Sequence, residues 1–312
     1  MCDLAIIIPA YKPWFLEASL ESIARQTNQN FHVYIGDDAS PFDLEPIVRR
    51  FEHRIHLTYK KFETNFGGTD LVAQWERCIA LSEEPWIWLF SDDDVMSPEC
   101  VSEFYNARQL SHDTSCIYRI NTWIMNKSET RVRDNFRTPE RFSRADFATW
   151  LYLQQKLCCA VVEYIFPREI HRLSGGFISF PVAWHSDDAT WFKFGKYADF
   201  HTLAGGEIGL RQSGENLSAL TTNLDAKLKA EQLFADWMHS QTEDSLAQRI
   251  ASQLGLLVYS NVGSVRVRKL LYQYIRLSQP KTIKEWVLAS IHLAKISLRR
   301  SRHVASLWRE KL

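Results

Sequence analysis

Three consecutive carboxylates, Asp92-Asp93-Asp94, follow the apolar run Trp86-Ile87-Trp88-Leu89-Phe90 with only Ser91 between. Carboxylates crowded at the end of a buried strand repel one another unless a cation sits among them. The junction therefore reads as a divalent-metal site at the carboxyl edge of a sheet, an ion that would in turn hold a phosphate. A second pair, Asp187-Asp188, lies between Pro181-Val182-Ala183-Trp184 and Ala189-Thr190-Trp191-Phe192. Desolvation and the adjacent charge both raise a carboxylate's pKa in such surroundings, which suits a general base. A third pair stands in Gly36-Asp37-Asp38-Ala39-Ser40; taken alone it is equally a solvated turn after a strand.

These groups need elements to hold them. Leu4-Ala5-Ile6-Ile7-Ile8, closed by Pro9, has the continuous apolar character of a parallel strand buried on both faces. Leu16, Leu20 and Ile23 then recur at helical spacing. Strands are predicted at Phe31 to Ile35 and around Ile55 to Tyr59, with Asn65-Phe66-Gly67-Gly68 following, and Leu71, Trp75, Cys78 and Ile79 mark another helix before the strand at 86–90. Strand and helix alternate through the first hundred residues, which predicts a doubly wound α/β sheet whose ligands lie beyond the carboxyl ends of the strands. Tyr11, Asp37-Asp38 and Asp92-Asp93-Asp94 stand at those ends. Beyond residue 115 a strand-like Cys116 to Met125, a polar loop near 126–140 and a helix capped by Ser143 are expected; Asp146 stands where a capping box usually has Glu or Gln.

With 46% apolar and 24% charged residues, the 312-residue chain can bury a large core. Its net charge is zero, yet 12 of its 37 Lys and Arg and only 2 of its 37 Asp and Glu lie from Asn261 onward, giving an acidic body and a basic tail. The six cysteines (2, 78, 100, 116, 158 and 159) form no CxxC pair, which argues against a zinc knuckle or a disulfide framework and for a reducing cytoplasm. Neither a signal peptide nor an apolar run of bilayer length is seen, so a cytoplasmic protein is expected.

Ile6-Ile7-Ile8-Pro9-Ala10-Tyr11, Gly36-Asp37-Asp38-Ala39-Ser40, Asn65-Phe66-Gly67-Gly68, Ser91-Asp92-Asp93-Asp94 with Pro98, His185-Ser186-Asp187-Asp188 and Arg211-Gln212-Ser213-Gly214-Glu215-Asn216 occur in one order along the chain. Together they resemble the family 2 inverting glycosyltransferases of GT-A fold, which move a sugar from a nucleoside diphosphate to a hydroxyl. The resemblance implies a catalytic domain over 1–220, with its nucleotide-sugar half at about 1–115 and its acceptor half at about 116–220, and a helical region over 221–312. It places Tyr11 against the nucleobase and Asp38 on the base's ring N–H, as uracil or thymine offers; Pro9, Asn65 and Gly68 line the nucleotide, and Asp92 reaches the ribose. It also assigns Asp93 as the ligand of Mg²⁺ or Mn²⁺, with His185 as a second candidate, although Ser91 occupies the first position of the family's Asp-x-Asp-Asp pattern. Asp188, then Asp187, is the base that deprotonates the acceptor. Arg211, with Ser213 and Asn216, steadies the pyrophosphate; Asp94, Gly176 and Trp184 line donor or acceptor.

The tail carries Ile283, Trp286, Val287, Ile291, Ala294 and Leu298 at helical spacing among Lys284, Lys295, Arg299, Arg300 and Arg302. That pattern suits either peripheral contact with an anionic membrane or docking on the catalytic domain, and no recognition motif accompanies it for nucleic acid. The function expected is metal-assisted transfer from a UDP-sugar to a glycan or lipid-linked acceptor in surface polysaccharide or lipopolysaccharide synthesis, at the inner face of the membrane. The rivals are a sugar nucleotidyltransferase, which would want a Gly-rich, Lys- or Arg-bearing loop in place of Pro9-Ala10-Tyr11-Lys12-Pro13, and a catalytically silent binding module.

Overall fold

The computed structural model describes residues 2–110, 116–154, 156–214 and 224–241, with 244, 245, 247 and 248. The basic tail and the stripe Leu246, Ile250, Leu254, Leu257 and Val258, also expected to be helical, lie outside them, as does Asn216. The chain divides into two units, Met1–Ala230 and Glu231–Leu312, and every site residue discussed below belongs to the first.

Four parallel strands open the sheet: β1 (Leu4–Ala10), β2 (His32–Asp37), β3 (Leu57–Lys61) and β4 (Trp86–Leu89), joined by helices α1 (Leu16–Ala24), α2 (Glu45–Arg49) and α3 (Leu71–Ile79). Their spatial order is β3-β2-β1-β4. The chain runs outward from β1 to β3, then returns through α3 to β4 on the far side of β1. The order of strands therefore reverses between β1 and β4, and a crevice opens there beyond their carboxyl ends.

Leu4, Ile6 and Ile8 share one core with Leu16, Leu20 and Ile23 of α1, while Ala5 and Ile7 point to the opposite face and are equally buried. Burial on both faces is why β1 shows an unbroken apolar run rather than alternation. Pro9, expected to close the strand, does not: β1 continues to Ala10, with Pro9 in register with Gly36 and Ala10 with Asp37. Proline removes only its own N–H from the ladder, and the bond from Asp38 N to Ala10 O (2.9 Å) resumes it. This extension brings Tyr11 level with Asp38.

The second half adds β5 (Val95–Met96), α4 (Cys100–Leu110), β6 (Ile117–Met125), β7 (Arg131–Asp134), β8 (Arg141–Phe142), α5 (Arg144–Ala148), β9 (Tyr164–Pro167), α6 (Arg168–Ser174), α7 (Ser186–Phe194) and β10 (Phe200–Arg211), and α8 (Leu224–Ser240) follows. The sheet continues from β4 as β9-β6-β10-β5, with β9 antiparallel to both its neighbours and β10 parallel to β6, so the sheet is mixed. Ser143 caps α5 in a capping box that Asp146 closes in place of Glu or Gln. A π-helical turn over Thr149–Leu153 prolongs α5.

Candidate functional site

The first cluster gathers at the end of β2. Asp37 accepts the Ser40 N–H (2.7 Å) and the Tyr59 hydroxyl (2.6 Å), which turns the chain after the strand. Asp38 is buried, and its carboxylate receives the N–H groups of Phe66 and Gly67 (both 2.7 Å), Asn65 Nδ2 (2.9 Å) and the guanidinium of Arg77. Expected to accept a base N–H, Asp38 thus already has four donors, as many as a carboxylate's lone pairs take. It builds the Asn65–Gly68 turn. Gly67 leaves no room for a side chain without displacing Asp38, since a Cβ there would stand 2.6 Å from Asp38 Oδ2. Arg77, from α3, lies between the rings of Phe62 and Phe66, 3.9 and 4.0 Å from their centroids. Sequence reading missed it, since only α3 packing across the end of β2 at Gly36 puts it beside Asp38. Tyr11 and Phe66 are 39% and 40% exposed, leaving two aromatic rings at the crevice for a flat ligand.

The acidic loop closes the same crevice from β4. Asp92 Oδ2 accepts the N–H groups of Tyr11 (2.9 Å) and Lys12 (3.1 Å), tying the ends of β1 and β4 together across the switch point. Asp94 is buried; it accepts the Ser91 hydroxyl (2.7 Å) and the Arg211 N–H (2.8 Å). Ser91 also accepts the Asp94 N–H (3.1 Å), so a hydroxyl closes the loop where the family pattern has a carboxylate. Burial, then the charge of Asp93, pushes Asp92 up to about 6 and Asp94 up to about 8; burial also raises Asp93, against Ser91, Arg211 and Lys12. Asp92 is tied to the backbone at Tyr11 and Lys12 and Asp94 to Ser91 and Arg211, and Asp93 lies between them in the same loop, where its carboxylate could hold an ion. The oxygen donor set fits Mg²⁺ or Mn²⁺, which take one or two carboxylates together with substrate phosphates.

Arg211, expected on a pyrophosphate, is 2% exposed. Its Nε donates to the Asp93 carbonyl (2.7 Å), Nη1 to the Lys127 carbonyl (3.1 Å) and Nη2 to Glu129 (3.0 Å), and its guanidinium lies 4.3 Å over Phe15. It clamps the acidic loop from behind. Lys12, which the sequence had not singled out, is a cation near enough to Asp92 and Asp93 to oppose the rise in their pKa. Ser213 is buried just past β10.

A second cluster forms at the start of α7. Asp187 and Asp188 occupy its first turn, and His185, the residue before the helix, reaches Asp188 Oδ2 through Nδ1 (2.7 Å). Burial, then the charge of Asp188, pushes Asp187 up to about 8. Cys159 joins them: ligand atoms of Cys159, Asp187 and Asp188 lie within 4.8 Å of one another. The π-helical turn delivers Tyr152, whose hydroxyl is held well above its ordinary pKa by burial and by the charge of Asp188. Beneath runs a wholly buried pair, Arg119 to Glu163 Oε2 (2.6 Å), with Asn121 and Thr138 on the same guanidinium. Cys159, Tyr152 and Arg119 carry no local motif; only the sheet brings 119, 152–163 and 187–188 together. Trp184 packs edge-on to His185 (5.6 Å) and carries Lys227 4.8 Å above its ring. Gly176, expected at the acceptor, follows the left-handed cap of α6 with φ 76°; a Cβ there would stand 2.6 Å from Glu76 Oε1, and its carbonyl accepts Lys193 Nζ. It serves the packing of α6 on α3 and α7.

The Glycosyl transferase family 2 model matches residues 5–167, just over half of the chain. An uncharacterized glycosyltransferase of Haemophilus influenzae is 30% identical over 116 residues, a match that spans 37% of either chain. Among solved structures, S. aureus TarS 1–349 in complex with UDP-GlcNAc superposes with a TM-score of 0.69 at 15% identity, covering 100% of this chain and 92% of that one. The mannosyltransferase PcManGT from Pyrobaculum calidifontis, in complex with GDP-Man and Mn²⁺, superposes with a TM-score of 0.51 at 15% identity, covering 95% and 86%. The fold shared with these is GT-A.

Proposed function

Since the chain belongs to glycosyl transferase family 2, we propose that it transfers a sugar from a nucleoside diphosphate to a hydroxyl of a glycan or lipid-linked acceptor, with inversion. The observation that carries this reading is the placement of two separate acidic groups. Asp92 and Asp93 sit at the β1/β4 crevice with Tyr11 and Lys12, where a nucleotide binds in open α/β sheets. Asp187 and Asp188 form another site on α7, with an aromatic neighbour in Trp184.

Tyr11 and Phe66 would flank the base, with Arg77 and the Asn65–Gly68 turn as its polar edge, while Pro9 and Asp92 shape the floor. UDP is the first donor class to test and GDP the second, given the ligands named for TarS and PcManGT. Asp93 would hold a divalent cation, which when bound neutralises charge on the departing diphosphate; Lys12 adds a second positive charge. Asp188 takes the proton from the acceptor hydroxyl as its oxygen attacks the anomeric carbon from the face opposite the diphosphate, which leaves with the bonding electrons.

Among the described residues no helix is long and apolar enough to cross a membrane. The excess of Lys and Arg from Asn261 onward supports peripheral contact with an anionic membrane and an acceptor made there for surface polysaccharide or lipopolysaccharide. Sedimentation of the full chain with anionic but not zwitterionic vesicles is the corresponding expectation.

A panel of UDP- and GDP-sugars, with and without Mn²⁺, tests the central claim through donor hydrolysis, with the anomeric configuration of any glycoside product read by NMR. Metal-dependent turnover that is lost in both Asp93→Ala and Asp188→Asn is expected. Full transfer by either variant would remove that residue from its role, and failure of every nucleotide to bind would sink the reading.

A further inference from the structure

We propose that His185 is a positioning residue for Asp188, holding one carboxylate oxygen so that the other receives the acceptor's proton. The inference rests on Asp188 being the base. His185 Nδ1 lies 2.7 Å from Asp188 Oδ2, and both side chains are mostly buried, 19% and 14% exposed. A carboxylate that is to receive a proton can only accept in this contact, so the proposal puts the hydrogen on Nδ1. Among the described residues no donor is recorded for Asp188 Oδ1, which leaves that oxygen for the substrate proton.

The backbone supports a purpose for this contact. His185 occupies the N-cap of α7, where Ser, Thr, Asp or Asn would accept a helix N–H, yet its side chain makes no capping bond. Its φ is 66°, and Val182 and Ala183 just before it have φ 51° and 53°. Left-handed backbone is disfavoured for all three, and for β-branched Val most of all. A segment selected for helix stability alone would place glycine or asparagine here. What the strained turn achieves is to carry the imidazole over the first helical turn to Asp188, where Trp184 packs edge-on against it.

During transfer the acceptor O–H bond breaks and its proton goes to Asp188 Oδ1, the acceptor oxygen bonds to the anomeric carbon, and the carbon–oxygen bond to the diphosphate breaks. His185 exchanges no proton in this step. It removes the rotational freedom of the carboxylate, as partners of metal- or substrate-binding groups do elsewhere.

Steady-state kinetics with saturating Mn²⁺ and a thermal melt for each variant test this. His185→Ala and His185→Gly should lower kcat about 10–100-fold, the range typical for loss of an orienting partner, while donor and acceptor KM stay within about twofold. His185→Asn, whose amide can stand where Nδ1 stands and which tolerates φ above zero, should keep kcat within about fivefold of wild type. His185→Gly should melt at or above the wild-type temperature, since glycine relieves the left-handed backbone. In an Asp188→Asn background, His185→Ala should have no further effect on kcat. The proposal is overturned if His185→Ala leaves kcat unchanged while Asp188→Asn abolishes transfer, or if the loss in kcat follows a loss of folded protein. A tenfold or greater shift in the Mn²⁺ concentration for half-activation, with kcat restored at high Mn²⁺, would instead make His185 a metal ligand and equally overturn it. Full activity in Asp188→Asn alone would refute the assignment of the base, an outcome separate from these.

Discussion

Arg211 and Asp94 are joined backbone to side chain, N–H to Oδ1 at 2.8 Å, while the Arg211 guanidinium grips the carbonyl of the next residue back, Asp93. The last strand of the sheet thereby fixes the shape of the loop that carries the candidate metal ligand. Arg211→Ala should cost about 3 kcal/mol, the lower end for breaking a buried, multiply bonded cation, because Glu129 can turn to solvent. Urea melts should show this, and donor KM should rise more than kcat falls. An unchanged midpoint would mean that the loop holds itself.

Ser91 donates to Asp94, so Ser91→Asp, which restores the family's acidic pattern, would set a carboxylate against a buried one. We expect a loss of about 2 kcal/mol in the absence of metal, larger at pH 9 than at pH 6, because Asp94 with its pKa pushed up to about 8 is protonated at the lower pH. Chemical denaturation at the two pH values checks it. Equal stability at both would show that the new side chain escapes to the crevice.

Gly67→Ala places a methyl 2.6 Å from Asp38 Oδ2, an oxygen that cannot retreat without giving up its donors. Overpacking of this kind costs about 1–3 kcal/mol. Gly68→Ala meets Asn65 Oδ1 at the same 2.6 Å, and Asn65 can yield only by loosening its bonds to Asp38 and to the residue-68 N–H, so a loss of about 1 kcal/mol is expected there as well. Nucleotide affinity by calorimetry should fall for both variants.

Asp187 is raised from 3.8 to about 8 in the fold. Between those values the unfolded chain has released a proton that the native state keeps, so stability decreases as pH rises through this window and levels off above it. A fall of several degrees in Tm from pH 5 to pH 8 is expected, flatter in Asp187→Asn, which removes one raised carboxylate while Asp94 remains. A slope identical to wild type would place the proton elsewhere.

The first half of the molecule was legible because its signals are local. The apolar run at Leu4–Ile8 announces a strand covered on both faces, and Asp92–Asp94, one residue past Phe90, announce the sheet's edge. Residues whose roles depend on distant partners were not. Arg211 looks like a phosphate ligand in its motif, yet its partners Asp93 and Glu129 lie 118 and 82 residues away and bury it. Asp38 likewise sits in the expected motif, but Arg77 and the turn that occupies it are chosen by how α3 crosses β2. Tyr152 comes within electrostatic range of Asp188 from a π-helical turn, which has no periodicity to read.

The bond between Asp94 and Arg211 also sets an order of events in the cell. The acidic loop leaves the ribosome 117 residues before the strand that secures it. At about 5–20 residues per second, some ten seconds pass in which the nascent chain holds the first four strands without the strand that secures the acidic loop. The loop that carries the candidate metal ligand therefore takes its final shape only once β10 has joined the sheet.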